Sequence, residues 1–168
     1  MNLNLSAKPG NQQVEDAVSV SQTATRFRPG RILVTTDLSS ASRVAIPYAA
    51  ELAGRLGWEI TLLHVVEPFH ADIHMDTSKL QQERRQKARE QLNALVQREL
   101  VGCPKVKAKL RAGHAVTTIT RFAQSSATDL IVLASHGRTG ICRALIGSVA
   151  ERVVRDAPCP VLVVRAKR

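Results

Sequence analysis

From residue 31 onward, short apolar runs alternate with amphipathic stretches. Four runs have the length of buried strands, "RILVTT", "EITLLHVVEP", "DLIVLAS" and "CPVLVVRA", and a fifth, "KVKAKLRAG", alternates basic with apolar positions. Between them, apolar residues recur every three or four positions, which is typical of helices packed on a sheet. Strands that alternate with helices indicate right-handed βαβ units. We therefore predict an α/β fold with a doubly wound, five-stranded parallel sheet and helices on both faces.

The boundaries of the predicted helices follow from capping and breaking residues. In the first, Ser39 or Ser40 caps the start and Gly57 ends the helix, while Pro47 is acceptable only in the first turn or at a kink. Its inner face is predicted to comprise Val44, Ala45, Ala49, Leu52, Ala53 and Leu56. Further helices are expected at about 77–100, 116–126 and 148–156. The apolar stripe of the long one comprises Ala88, Leu92, Leu95 and Leu100.

The first 29 residues differ in character from the rest of the chain. They are polar and show no sustained period, so we interpret residues 1–29 as a flexible tail before one domain over residues 30–168. The start lacks the basic segment and apolar centre of a signal peptide, and no apolar run reaches the length of a membrane span. Cys103, Cys142 and Cys159 form no C-x-x-C pair, which suits a reducing compartment. We expect a cytoplasmic protein without membrane association.

A formal net charge of +10 raises the question of a nucleic-acid partner. Lys105, Lys107, Lys109 and Arg111 fall on one face of a single predicted strand, a pattern that also protects a sheet edge from pairing with other chains. One Trp, one Tyr and three Phe are too few for a platform on which bases stack. We therefore do not expect nucleic acid as a partner.

The segment "ASHGRTGICRALIGSVAERVV" after the fourth strand is the strongest candidate for a binding loop. Gly147 permits a close backbone approach, and Ser148 opens a helix whose free N–H groups favour an anion. Ser148 and Glu151 also match a capping box, which uses the same serine for structure alone. Ligands of such sheets bind where the strand order reverses, so residues 35–37 are expected to face residues 135–137 across one crevice if the first and fourth strands are neighbours.

Several other polar residues have a structural and a chemical interpretation. Asp37 follows the first strand and either contacts a ligand or caps the next turn. In "HADIH", residues 70, 72 and 74 have a spacing that suits a divalent metal only if the segment is helical. His64 is interpreted as a hydrogen-bonded strand histidine. His136 belongs to the crevice, but no serine and carboxylate are recognisable beside it, so nucleophilic catalysis has no support.

Together, these segments resemble the universal stress protein family in its small single-domain form. "ASHGRTGICRALIGSVAERVVRDAPCPVLVVR" is similar to the family's carboxyl-terminal signature, "RILVTTDLSSAS" and "EITLLHVVEP" to its first two strand regions, and "LRAGHAVTTITRFAQSSATDLIVLAS" to its third and fourth. The likeness covers about residues 30–166. It implies a Rossmann-like α/β sandwich that binds adenine nucleotides, and a homodimer formed through the last strand, "PVLVVRA".

In nucleotide-binding members, the signature G-x-x-G, nine residues, then G-[ST] wraps the ribose and phosphates of ATP. The nine-residue gap is intact here between Gly137 and Gly147, but Ala134 replaces the first glycine. The extra methyl group either crowds the nucleotide or is accommodated by relaxation of the pocket. Overpacking costs about 1 to 3 kcal/mol, which is compatible with ATP binding that is weakened but not lost.

The resemblance assigns individual contacts to positions of this chain. Thr36 and Asp37 face the adenosine, the Val65 backbone meets the adenine, and residues 147–149 hold the phosphates. The full set of implied nucleotide-binding residues is Thr35, Thr36, Asp37, Val65, Ala134, His136, Gly137, Arg138, Gly140, Gly147, Ser148 and Val149. Arg138 and Arg143 are predicted phosphate partners on the basis of guanidinium geometry alone. Both arginines can equally be interpreted as solvated charges of the loop.

The function implied is that of a stress protein for which ATP, with or without Mg²⁺, is a regulatory ligand. Bound nucleotide would order residues 137–147 and change a surface offered to an unidentified protein partner. Two alternatives stay open: a nucleotide-independent interaction protein, which Ala134 favours, and a slow ATP hydrolase in which Asp37 holds magnesium. Turnover is expected to be slow, because the groups that fast phosphoryl transfer requires are not recognisable together in the sequence.

Overall fold

The computed structural model describes residues 30–68, 78–103, 105–136 and 146–165. The tail at residues 1–29, the "HADIH" segment and Cys142 lie outside the described residues. In chain order, the elements are β1 (Arg31–Thr36), α1 (Ser40–Arg43), α2 (Ala45–Leu56), β2 (Glu59–Val66), α3 (Ser78–Glu99), β3 (Val106–Ala112), α4 (Ala115–Ser125), β4 (Leu130–Ala134), α5 (Ser148–Asp156) and β5 (Val161–Val164).

The five strands form one parallel sheet with the order β3-β2-β1-β4-β5. The central strand β1 pairs with β2 on one side and with β4 on the other, so the strand order reverses between β1 and β4. Thr36 lies beside His64 of β2, and Ala134 of β4 lies beside Val164 of β5. The predicted doubly wound α/β fold is confirmed, including the adjacency of the first and fourth strands.

Each face of the sheet is covered by its own layer of helices. Ile32 and Val34 of β1 belong to a core cluster with residues of α2 and α3, whereas Leu33 packs with α4 and α5 on the opposite face. Alternate residues of the strand are therefore both buried, as expected for a sheet covered on both sides. The stripe predicted for the long helix is buried as well, at Ala88, Leu92, Leu95 and Leu100. Within the described residues, no helix is both long and apolar enough to cross a bilayer.

The first predicted helix is two helices, α1 and α2, which meet at Val44. This break places Pro47 in the first turn of α2, where its missing N–H costs nothing. Ser39 caps α1, and Gly57 ends α2 with a φ of 67°. The prediction that Leu56 is buried is wrong, because residues 54–57 are all exposed and the last turn of α2 extends beyond the buried layer.

The edge strand β3 carries the basic face predicted for it. Lys107, Lys109 and Arg111 are exposed between half-buried apolar neighbours. Hydrogen bonds from Lys107 and Lys105 to Glu59 lower the pKa of that carboxyl group. Because these groups are exposed, the ion pairs contribute little to stability. The row of charges protects the open edge from pairing with another strand.

Candidate functional site

A cavity of about 690 Å³ opens at the carboxyl edge of the sheet, where the strand order reverses. It is lined by the ends of β1, β2 and β4, by the first residues of α4 and α5, and by one side of α3. Nine of the predicted site residues line it: Thr35, Thr36, Asp37, Val65, Ala134, His136, Gly147, Ser148 and Val149. The other three, Gly137, Arg138 and Gly140, lie outside the described residues, as does Arg143.

A compact hydrogen-bond network shapes the end of β1. The hydroxyl oxygen of Thr36 lies 2.9 Å from that of Ser42 and accepts from the Leu38 N–H at 3.0 Å. Asp37 Oδ1 accepts from the backbone N–H of Ser39 at 2.9 Å and from its hydroxyl at 2.6 Å. Leu38 has a φ of 69°, a conformation that costs a residue with a side chain about 1 to 3 kcal/mol. Asp37 therefore caps this turn, and the turn holds its carboxylate at the edge of the cavity.

His64 forms part of the cavity wall next to this turn. Its Nδ1 lies 2.8 Å from the carbonyl oxygen of Thr36, and the residue is only 7% exposed. A carbonyl oxygen can only accept, so Nδ1 carries the proton in this contact. The prediction of a hydrogen-bonded strand histidine is confirmed. The structure also places His64 on the cavity wall, which the sequence did not predict.

Buried polar residues among the described ones are concentrated at this cavity. They are Thr36, Ser42, His64 and Ser135, and all four line it, whereas the remaining buried residues are apolar. A buried polar group without a partner costs about 1 to 3 kcal/mol, and each of these four has a hydrogen bond to another described residue. The cavity therefore has a preformed polar lining.

The start of α5 is attached directly to the end of β4. The Gly147 N–H donates to the carbonyl oxygen of Ser135 at 2.7 Å. A Cβ at Gly147 would lie 2.9 Å from that same oxygen, so the close approach of the two backbones requires glycine there. The φ of Gly147 is −70°, which any residue adopts, so conformational freedom is not the reason for the glycine.

The predicted capping box at Ser148 is wrong. Gly147 is the N-cap of α5, Ser148 is its first helical residue, and the helix has no side-chain cap. The bond to Ser135 holds the chain so that the helix begins one residue earlier than a serine cap would allow. Ser148 is exposed and, with Val149, lines the cavity. The backbone N–H groups of this first turn are thus available to a ligand.

Sequence reasoning missed the contribution of α3 to the cavity. Arg84, Lys87 and Gln91 line it, one turn of helix apart, beside the buried Ala88. The signal was present in their spacing, because positions three and four residues apart share one side of a helix. Glu67 also lines the cavity, and its Oε1 accepts from the Ala115 N–H at 3.2 Å, which supplies a cap for α4.

Other candidate chemistry has a weaker basis in the structure. No group of three or more metal-ligating side chains occurs among the described residues. Ser135 Oγ lies 2.9 Å from His136 Nδ1, but Ser135 is 1% exposed, so its hydroxyl is not open to a substrate. Burial raises the pKa of the half-buried Cys103 and Cys159 thiols, which keeps both protonated at neutral pH.

Comparison with known proteins identifies the family to which this chain belongs. Residues 29–165 match the model of the universal stress protein family. The chain is a member of that family. Universal stress protein MJ0531 of Methanocaldococcus jannaschii is 34% identical over 141 residues, which cover 80% of this chain and 81% of that protein. The family membership predicted from the sequence is confirmed.

Solved structures share the architecture of this universal stress protein. Protein MJ0577 of Methanocaldococcus jannaschii superposes with a TM-score of 0.72 at 27% identity, over 83% of this chain and 97% of that one. A universal stress protein in complex with cAMP has a TM-score of 0.65 at 22% identity, over 82% and 98% of the two chains. An Arabidopsis thaliana family protein with AMP bound has a TM-score of 0.61 at 20% identity, over 83% and 93%. The last two likenesses establish the common fold.

Two glycine-to-alanine variants test the attachment of α5 to β4. Gly147→Ala is expected to lower the free energy of unfolding by about 1 to 3 kcal/mol, because its Cβ forces the two backbones apart. Gly54→Ala is the matched control, since no atom lies within 4 Å of the added Cβ and the residue is inside α2. It should raise the free energy of unfolding by about 0.5 to 1 kcal/mol. Urea unfolding measures both, and equal effects of the two substitutions would contradict the close-contact explanation.

Proposed function

We propose that this universal stress protein binds ATP in the cavity and uses it as a regulatory ligand in the cytoplasm. The observation that carries the proposal is the start of α5, which has no side-chain cap and lines the cavity with Ser148 and Val149. The N-terminus of a helix bears about half a positive charge, and its N–H groups point outward. This arrangement suits a phosphate group.

The opposite part of the cavity suits the adenosine. Asp37 is held at its edge by the turn after β1, and Val65 lies at the end of the neighbouring strand β2. Adenine nucleotides occupy the two structures of the same fold that contain AMP and cAMP, which supports the choice of base for this chain. A preformed polar lining reduces the ordering that a ligand must otherwise impose.

The methyl group of Ala134 is compatible with this proposal. Ala134 packs against the core cluster that includes Ile46 and Val132, so its side chain contacts the layer formed by α2 and α3. The extra methyl group therefore has apolar neighbours within the protein. This packing favours a site that retains ATP over a nucleotide-independent interaction protein.

The residues that line the cavity support the proposed regulatory role. His136 and Gly147 both line it, and they flank residues 137–145. A ligand that contacts both flanks couples its own binding to the segment between them, and that segment is the surface we propose for an unidentified protein partner.

Thermal unfolding against increasing Mg-ATP tests the proposed ligand. At a hundredfold excess over its Kd, ATP stabilises the folded protein by about 2.7 kcal/mol, which should raise the Tm by at least about 5 °C. ADP and AMP, with GTP as a base control, are measured at the same ionic strength. A saturable shift with ATP and little shift with GTP is the expected result. An unchanged Tm at millimolar ATP would exclude the proposed function.

A substitution at the start of α5 tests where the phosphates bind. Ser148→Asp places a negative charge beside the N–H groups, so we expect it to abolish the ATP-dependent shift in Tm. The unliganded protein should be as stable as the wild type or more so, since an acidic residue in the first turn stabilises a helix by about 0.3 to 1 kcal/mol. Ser148→Ala, which keeps the backbone N–H, should bind ATP nearly normally. Wild-type ATP binding by Ser148→Asp would contradict a phosphate site at α5.

We also propose a homodimer formed through β5. This strand is an edge of the sheet, and its Leu162 is 36% exposed. An apolar edge strand exposes unpaired backbone groups, and a second copy of the chain would cover them. Val154 of α5, the element that precedes β5, is also an exposed apolar residue.

Sedimentation at micromolar concentration tests the dimer. The wild type should sediment as a dimer, and Leu162→Asp as a monomer, because the charge would be buried in the interface. Leu80→Asp is the matched control, since Leu80 is an exposed leucine of α3, away from β5. A monomeric wild type, or dissociation by both variants alike, would contradict this interface.

A further inference from the structure

The wall of the cavity formed by α3 is positively charged. Arg84 and Lys87 line it together with Gln91. Among the described residues that line the cavity, these two are the only lysine or arginine side chains. The nucleotide contacts implied by the family resemblance involve the strand ends, the segment after β4 and α5, but no residue of α3. This wall is therefore an unassigned part of the site.

Lys87 lines the cavity, and its charge is not neutralised by an ion pair within the helix. Glu83 precedes it by four residues, the spacing best suited to an ion pair, yet Lys87 forms no ion pair or hydrogen bond in the described part of the chain. The carboxylates at the cavity are held by other groups: Asp37 accepts from the following turn, and Glu67 accepts from the Ala115 N–H. The cavity thus has a cation with no local partner.

An electrostatic comparison indicates which ligand such a wall would favour. The start of α5 offers about half a positive charge, enough to favour one phosphate group but too little to balance a triphosphate. Cations that line the same cavity act on the remaining phosphates, because screening in physiological salt becomes effective only beyond about 8 Å. A phosphate group within that distance of the α3 cations therefore gains attraction from them.

We propose that Lys87, with Arg84 beside it, makes this site selective for adenine nucleotides with several phosphate groups. The inference rests on the nucleotide site proposed above and adds a specificity-determining residue to it. Affinity is expected to rise from AMP to ADP to ATP, and Lys87 is responsible for much of that increase. Lys87 acts as a point charge in this role, so Lys87→Arg should preserve the order.

Two charge reversals on the same helix test the proposal. Lys87→Glu and Lys79→Glu give the same net charge, and Lys79 is exposed on α3 without lining the cavity. Isothermal titration calorimetry at fixed ionic strength gives the Kd values of ATP and AMP for each protein. For Lys87→Glu, we expect the Kd of ATP to rise about tenfold or more and the Kd of AMP to rise less than about threefold. Lys79→Glu should change either value by less than about twofold.

The possible outcomes separate this inference from the proposed function. Selective loss of ATP affinity in Lys87→Glu supports the role of the α3 wall. Equal weakening by both variants would attribute the effect to net charge and overturn the inference. Unchanged ATP affinity in Lys87→Glu, with loss in Ser148→Asp, would overturn the inference while the nucleotide site stands. A wild type that binds no ATP would overturn both.

Discussion

The hydrogen bond from the Gly147 N–H to the Ser135 carbonyl oxygen is the contact on which the candidate site depends. At 2.7 Å, it attaches the start of α5 to the end of β4, and the 2.9 Å between a notional Cβ and that oxygen excludes any larger residue. Because α5 begins at this contact, its first N–H groups lie at the point where the strand order reverses. The glycine is thus an architectural requirement, and the same contact sets the position of the N–H groups that we propose as the phosphate site. These two roles, which appear as alternatives in the sequence, are one arrangement in the fold.

The polar side chains around this contact show how a hydrophobic sheet accommodates a binding cavity. Thr36, Ser42, His64 and Ser135 are buried, and each hydrogen-bonds another described residue. Paired in this way, they avoid the cost of buried polar groups and line the cavity. The strained φ of Leu38 belongs to the same turn, which positions the Asp37 carboxylate. A backbone strain of this kind is typical of functional sites.

Two groups of basic residues lie on distinct surfaces of the described structure. On β3, Lys107 and its neighbours lie along an exposed edge, where Glu59 partly neutralises them. On α3, Arg84 and Lys87 line the cavity. Protection of the sheet edge explains the first group, and the second group is the one for which we propose an anionic ligand. Net charge alone does not distinguish these roles, since it carries no information on which cations share a surface.

The sequence by itself determined the five strands, the alternation of strands and helices and the family, because hydrophobic period and turn residues act over a few neighbouring positions. Gly57 at a helix end and the buried stripe of α3 followed from such local rules. Only the tertiary structure decided that Gly147 and not Ser148 is the N-cap of α5, that Leu56 is exposed, and that Lys87 lines the cavity. Each of these depends on contacts or distances between segments far apart in the chain, and the local pattern of residues contains no measure of them.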